Sequence, residues 1–209
     1  MDFTVWITFV TASMVLLIIP GPTILLVLSY AISQGRRTAL ATALGVAVGD
    51  LIAMTASLAG LGALVLASAT AFTVLKWIGA AYLVYLGVKM FRSAEGATLG
   101  GLTQTRNESR LRMFGHAATV TALNPKSIVF FIAFVPQFVT ADSALLPQFA
   151  ILTATFVALA GGNAIIYALM ADRVRQKIAR QNVIKWVTRA GGTALVLMGI
   201  VTATVRRSA

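Results

Sequence analysis

Two residues in the 209-residue chain have chemistry that their surroundings oppose: Asp50 and Lys126, an acid and a base each set inside a long apolar run. A charge at the centre of a bilayer costs at least about 3 kcal/mol even on the gentler insertion scales. Lys126 stands 12 residues beyond Phe114, where its run begins. That is about 18 Å along a helix and past the middle of a hydrocarbon core about 30 Å thick, too deep for its stem to carry the ammonium to an interface. Asp50 stands 12 residues beyond Thr38. Its run and that of Lys126 cross in the same direction, so the two charges reach similar depth. An isolated acid and base at one level suit a zwitterion, which offers an ammonium to one and a carboxylate to the other.

The sequence around them breaks helices. Pro20-Gly21-Pro22 lies within the first apolar run and Asn124-Pro125-Lys126 within the fourth. Each proline removes an amide donor and clashes with the preceding turn, so both helices should be interrupted, near Gly21 and Pro125. A break frees carbonyls on one side and amides on the other, and in lipid such groups need partners. Amides after Pro22 and Pro125, with Lys126, can hold a carboxylate. Asp50 and the carbonyls before Pro20 can hold an ammonium, and Asn163 can serve either group. Thr23 follows the first break, and Asn163 lies 10 residues before Arg173 at the inner end of its own run, again near the same plane. In the empty protein Asp50 and Lys126 are expected near each other, directly or through water, and to part when a zwitterion binds between them. An isolated carboxyl that changes surroundings in this way also makes Asp50 the candidate proton-coupling group.

Six apolar runs must position these residues, at about Thr4–Ala31, Thr38–Leu66, Ala71–Met90, Phe114–Val139, Leu145–Ala171 and Trp186–Val205. Each is long enough to span a bilayer as a helix, the secondary structure that satisfies its own backbone in lipid. The first run is read as a retained helix, since it lacks a basic leader and is too long for a signal-peptide core. The halves are alike. Leu75-Lys76-Trp77 opens the third run and Ile184-Lys185-Trp186 the sixth, and runs one and four both carry proline near their middles. Three helices followed by three similar ones make an inverted repeat. The expected fold is therefore all-α: a single polytopic membrane domain of six helices in a 3+3 inverted repeat with helices 1 and 4 broken. Repeat 1 covers about 1–92, a cytoplasmic loop about 93–112, and repeat 2 about 113–209. The loop's glycines, Gly96, Gly100 and Gly101, predict mobility. In the second run Ala41, Gly45, Gly49, Ala53 and Ser57 recur every four residues, a small stripe for close helix packing.

Composition agrees. Hydrophobic residues make up 58% and charged residues 11%, with a mean hydropathy of +0.88, too few charges for a water-facing surface. The net charge is +11, but the positive residues fall in short loops, not on a basic face, so no nucleic-acid partner is expected. Twelve Lys and Arg lie on one side, in the loops after runs one, three and five, against three on the other: Lys76, Arg206 and Arg207. The positive-inside bias puts those three loops in the cytoplasm and both termini outside. There is no cysteine and one histidine, His116, which reads as interfacial. Thiol redox chemistry is excluded, no metal or cofactor site is expected, and no nucleophile–base pair supports an enzyme.

These features resemble the lysine exporter (LysE) family, in its RhtB branch of threonine and homoserine exporters. The resemblance rests on Pro20-Gly21-Pro22, Gly35-Arg36-Arg37, Gly45 through Gly49-Asp50, the segment Leu75-Lys76-Trp77-Ile78-Gly79-Ala80-Ala81-Tyr82-Leu83 to Gly87, Asn124-Pro125-Lys126, Phe130-Phe131 and Pro136-Gln137-Phe138. It covers nearly the whole chain and implies efflux of amino acids or related metabolites across a bacterial inner membrane, driven by the proton gradient. Family members often carry Asp or Asn after the first Pro-Gly-Pro, where this chain has Thr23. The expected partners are a small-molecule amino-acid substrate and the lipid bilayer, and a homo-oligomer is compatible with the sequence. The alternatives are a metal-ion or other small-solute exporter of similar architecture, for which one buried acid and one histidine supply few ligands, and a non-transporting structural subunit, which has no need of two broken helices and a buried charge pair.

Overall fold

The computed structural model describes residues 1–67, 69–94, 108–140, 143–171 and 181–204. Among these there are helices and no strands. Most of the 93–112 loop lies outside the described residues, as do Arg106, Arg173, Arg175, Lys177, Arg180, Arg206 and Arg207, which carry much of the charge bias.

The first apolar run forms two helices. Helix α1 (Phe3–Ile18) starts at an N-cap, where the Asp2 carboxylate accepts from the Thr4 amide at 3.0 Å. It stops because Pro20 and Pro22 cannot donate the next bonds. Helix α2 (Pro22–Gln34) takes Pro22 at its first turn, where the lost amide is an orphan in any case. It ends at Gly35, whose φ of 77° requires glycine. The axes of α1 and α2 differ by 56°. A short 3₁₀ turn, Arg36–Thr38, leads into α3 (Ala39–Ala67), and α4 (Ala69–Ser93) follows.

The fourth run breaks likewise. Helix α5 (Arg110–Ala122) starts at Ser109, whose hydroxyl accepts from the Arg112 amide. Helix α6 (Pro125–Ala133) starts after Asn124, whose side-chain oxygen accepts from the Lys126 amide at 3.1 Å. The bend between them is 46°. A 3₁₀ turn, Val135–Phe138, follows. Gln148 ties the next connection by donating to the carbonyls of Thr140, Ser143 and Ala144 while accepting from the Thr140 amide. Helices α7 (Leu145–Leu169) and α8 (Gln181–Thr204) complete the chain.

Among the described residues three segments, Ala39–Gly60, Thr73–Ser93 and Leu145–Leu169, are long and apolar enough to cross a membrane, and there are up to five crossings if each bent pair is one span. Exposed Leu44, Ile52, Trp77, Ile78, Leu146, Trp186 and Ile200 give the exterior the apolar surface such spans need. Inside, Phe9, Phe130, Phe131, Phe134, Phe138 and Phe156 stack and edge onto one another between α1, α6 and α7.

Packing is set by glycine. Helix α3 lies on α5, where a methyl at Gly49 would sit 2.6 Å from the Ala118 carbonyl oxygen and one at Gly45 would strike that of Phe114. Helix α4 lies on α8, where Gly87 and Gly192 each leave room for the other's carbonyl. In lipid, close backbone approach of this kind replaces the hydrophobic driving force. Because backbone cannot yield as a side-chain tip can, Gly49→Ala should lower stability by about 1–3 kcal/mol. Thermal unfolding of the detergent-purified protein measures this. An unchanged midpoint would mean that the α3–α5 contact is looser than described.

Candidate functional site

The break in α1–α2 is where the chemistry begins. In a continuous helix the carbonyl of Leu16 would bond the amide of residue 20 and that of Ile18 the amide of residue 22. Both positions are proline, so those two carbonyls lose their donors by covalent structure alone. The bend removes the bonds of Leu17 and Ile19 as well. Four successive carbonyls are thus left inside an apolar bundle, each needing a donor from elsewhere.

Three side chains supply them. The Lys126 ammonium donates to Leu16 O at 3.1 Å and to Ile19 O at 3.0 Å. The Asn163 amide donates to Leu17 O at 3.0 Å, and the Tyr167 hydroxyl to Ile18 O at 2.7 Å. Lys126 comes from the start of α6, while Asn163 and Tyr167 lie four apart on one face of α7. Lys126 is 9% exposed. Its backbone sits at the positive end of α6, an unfavourable place for a cation, but its stem carries the charge to the negative C-terminal end of α1. Glycine at 21 serves this arrangement. A β-carbon there would lie 3.4 Å from Lys126 Nζ, so any longer side chain would grow against the ammonium.

The second break is joined to the first through Thr23. Its hydroxyl oxygen accepts from Asn124 Nδ2 at 3.1 Å and from the Thr121 hydroxyl at 3.3 Å. Asn124 therefore caps α6 with its oxygen and binds α2 with its nitrogen.

Gly21, Thr23, Asp50, Asn124, Lys126 and Asn163 line one cavity, together with Ser127 of α6 and apolar residues of α1, α2, α3 and α7. Pro20, Pro22 and Pro125 are not among its lining residues and act by breaking the helices. Gly45 and Gly49 lie at the α3–α5 contact. The cavity has a free volume of about 20 Å³, room for a water molecule and too little for an amino acid. Asp50 is buried at 2% exposure, and its Oδ1 has no hydrogen-bond partner.

The two charges expected near each other, directly or through water, line one cavity with room for a water; no direct hydrogen bond joins them. Lys126 and Asp50 face the same cavity, but the hydrogen bonds of the ammonium go to carbonyls and the acid keeps an unsatisfied oxygen. The reason is local supply. The two prolines present acceptors that cannot be satisfied within α1, and these take the cation. The carbonyls before Pro20 are thus already occupied by the protein's own donors.

Tyr167 is absent from the sequence-based set. Its one signal was the spacing of four from Asn163. A second polar cluster also goes beyond that set. Tyr30, fully buried, donates to Glu108 Oε2 at 2.8 Å and lies 2.8 Å from His116 Nδ1. His116, read as interfacial, thus belongs to a network that joins α2 to the start of α5.

Comparison with known proteins places these features in context. The family model described as LysE type translocator matches residues 14–205. The chain is 35% identical over 208 residues to the homoserine/homoserine lactone efflux protein of Salmonella typhimurium, covering 100% of each. It is 32% identical over 206 residues to an uncharacterized membrane protein of Vibrio cholerae, covering 99% of this chain and 100% of the other. None of the solved structures matches it.

Proposed function

Starting from the chain's membership of the LysE type translocator family, we propose that it is a secondary transporter exporting amino acids or closely related small metabolites across the bacterial inner membrane, coupled to protons. The observation that carries this reading is the junction of two broken helices at a small cavity lined by one acid and one base. Half-helix ends at mid-membrane are where secondary transporters bind substrate and coupling ion. The name of the Salmonella relative points to the substrate class. Homoserine and its lactone share a primary ammonium, and the free carboxylate belongs to homoserine alone.

In this reading the substrate site comprises Gly21, Thr23, Asp50, Asn124, Lys126 and Asn163, shaped by Pro20, Pro22 and Pro125. Asp50, the one carboxyl in the cavity, carries the coupled proton. A metal exporter is disfavoured, because the cavity lining offers one carboxylate and neither imidazole nor thiolate. Proteoliposomes loaded with a panel of labelled amino acids test the function. Release accelerated by an imposed proton gradient is expected for at least one of them, and release of none would overturn the reading.

The 3+3 inverted repeat is part of the proposal, with α8 as the sixth crossing. Exchanging the halves maps the first bent pair onto the second, α3 onto α7 and α4 onto α8. Contacts of α1 and α2 with α7 then correspond to those of α5 and α6 with α3, and both sets are present. An odd number of crossings per half inverts the second relative to the first. With the charge bias, both termini lie outside. Single cysteines in place of Asp2 and Ser109 test this in intact cells. Labelling by an impermeant reagent is expected at 2 and not at 109, and the reverse pattern would overturn the orientation.

A further inference from the structure

We propose that in the empty protein the Lys126 ammonium occupies the seat of the substrate's own ammonium, so that a ligand bearing a primary ammonium enters by displacing it. This rests on the exporter reading and specifies which group of the substrate is recognised first.

The seat is built of backbone. Leu16 O and Ile19 O lie 3.1 and 3.0 Å from Lys126 Nζ, at the negative end of α1. The two carbonyls between them are held by Asn163 and Tyr167, neutral donors that leave the local negative potential in place. The position of these acceptors is fixed by Pro20 and Pro22, and no side-chain rotation removes them. A second observation points to the same ligand group. Asp50, 2% exposed, lines this cavity with a buried oxygen that nothing satisfies. No donor of the protein reaches that oxygen, although Lys126 uses only two of its three N–H groups on the carbonyls. A primary ammonium brings three donors, enough for the two carbonyls and the free carboxylate oxygen.

Space requires displacement. About 20 Å³ holds one water, so a substrate cannot simply be added beside Lys126. Of the lining groups, the backbone carbonyls cannot move without unwinding α1, and Asn124 is held by its cap to α6 and its bond to Thr23. The Lys126 side chain is long and unbranched, and Gly21 beside its tip presents no side chain against it. When it leaves the seat it remains a buried cation and needs a new anion, which a substrate carboxylate supplies. A zwitterion thus satisfies both groups. A ligand with an ammonium and no carboxylate fills the seat and strands Lys126. A ligand with a carboxylate and no ammonium cannot evict the lysine.

Calorimetric titration of the full-length, detergent-purified protein with L-homoserine, L-homoserine lactone and N-acetyl-L-homoserine tests this. Wild type is expected to bind homoserine more tightly than the lactone, and the N-acetyl compound not at all. In Lys126→Gln the seat is no longer held by a cation, while an amide donor is still available to the carbonyls. The lactone should then bind at least about tenfold more tightly than to wild type and homoserine more weakly, since a charge-assisted hydrogen bond is at stake. A lactone affinity unchanged or lowered by the substitution overturns the displacement. So does binding of N-acetyl-L-homoserine to wild type as tight as that of homoserine, a comparison that decides even if the variant fails to fold. If wild type binds none of the three, the seat assignment falls. The exporter reading falls only if the proteoliposome panel is also empty, so the two failures are told apart.

Discussion

Asp50→Asn should reduce uphill efflux in proteoliposomes to the background of empty vesicles while leaving exchange of labelled for unlabelled substrate. Asparagine keeps the size and the acceptor of the side chain, so the bundle around α3 should assemble. What it loses is the ability to take up and release a proton. Asp50 is buried, lines the central cavity and has an oxygen without a partner. Such a group is costly to keep charged and unpaired in a low dielectric. It can be satisfied by a proton, by the substrate ammonium or by Lys126 after a small shift. A transporter needs these states to alternate, and a carboxamide cannot alternate between them. Downhill exchange requires no net proton movement and should survive with weakened affinity. A mutant that still concentrates substrate against its gradient would show that the coupling group lies elsewhere. The Tyr30–Glu108–His116 network between α2 and α5 would then be the next place to look.

The largest loss of stability is expected from Lys126→Met. Methionine matches the stem in length and supplies no donor. Leu16 O and Ile19 O then have no partner, and Asp50 loses the one cation in its cavity. Removing one member of a buried charged set costs about 3–5 kcal/mol. For a membrane protein this should appear as strongly reduced expression and a large fall in the midpoint of thermal unfolding. Lys126→Met combined with Asp50→Asn should recover part of this loss and no more. The second change removes the unpaired charge, but the two carbonyls stay unsatisfied because proline still occupies positions 20 and 22. Lys126→Gln, whose amide can reach a carbonyl, should be more stable than Lys126→Met. If Lys126→Met proves as stable as wild type, the lysine does not hold the end of α1. If the double variant is fully restored, the charge pair matters and the carbonyls do not.

Much of this was written in covalent structure. That the chain forms long apolar helices follows from composition, since little else satisfies a backbone without water. That α1 stops near Ile18 and α5 near Ala122 follows from proline, which removes the same amide donor wherever the rest of the chain lies. The depth of Asp50, Lys126 and Asn163 could be counted in residues along their runs, and all three line one cavity. Family membership was equally visible, because its motifs are the very residues that break the helices and charge the interior.

Only tertiary structure decided the partners. The sequence suggests that Lys126 pairs with Asp50, because opposite charges at one depth attract. It cannot show that two prolines two residues apart leave four carbonyls unbonded and bring two of them to the space the ammonium reaches. Nor does it mark Tyr167, since nothing in a tyrosine tells whether its hydroxyl faces lipid, water or a carbonyl 149 positions away. His116 met Tyr30 for the same reason. Breaks, depths and spans are properties of one segment at a time. A hydrogen bond between segments depends on how helices rotate and approach, which here is fixed by contacts such as Gly49 on Ala118 and Gly87 on Gly192, and those are settled only when the whole bundle packs.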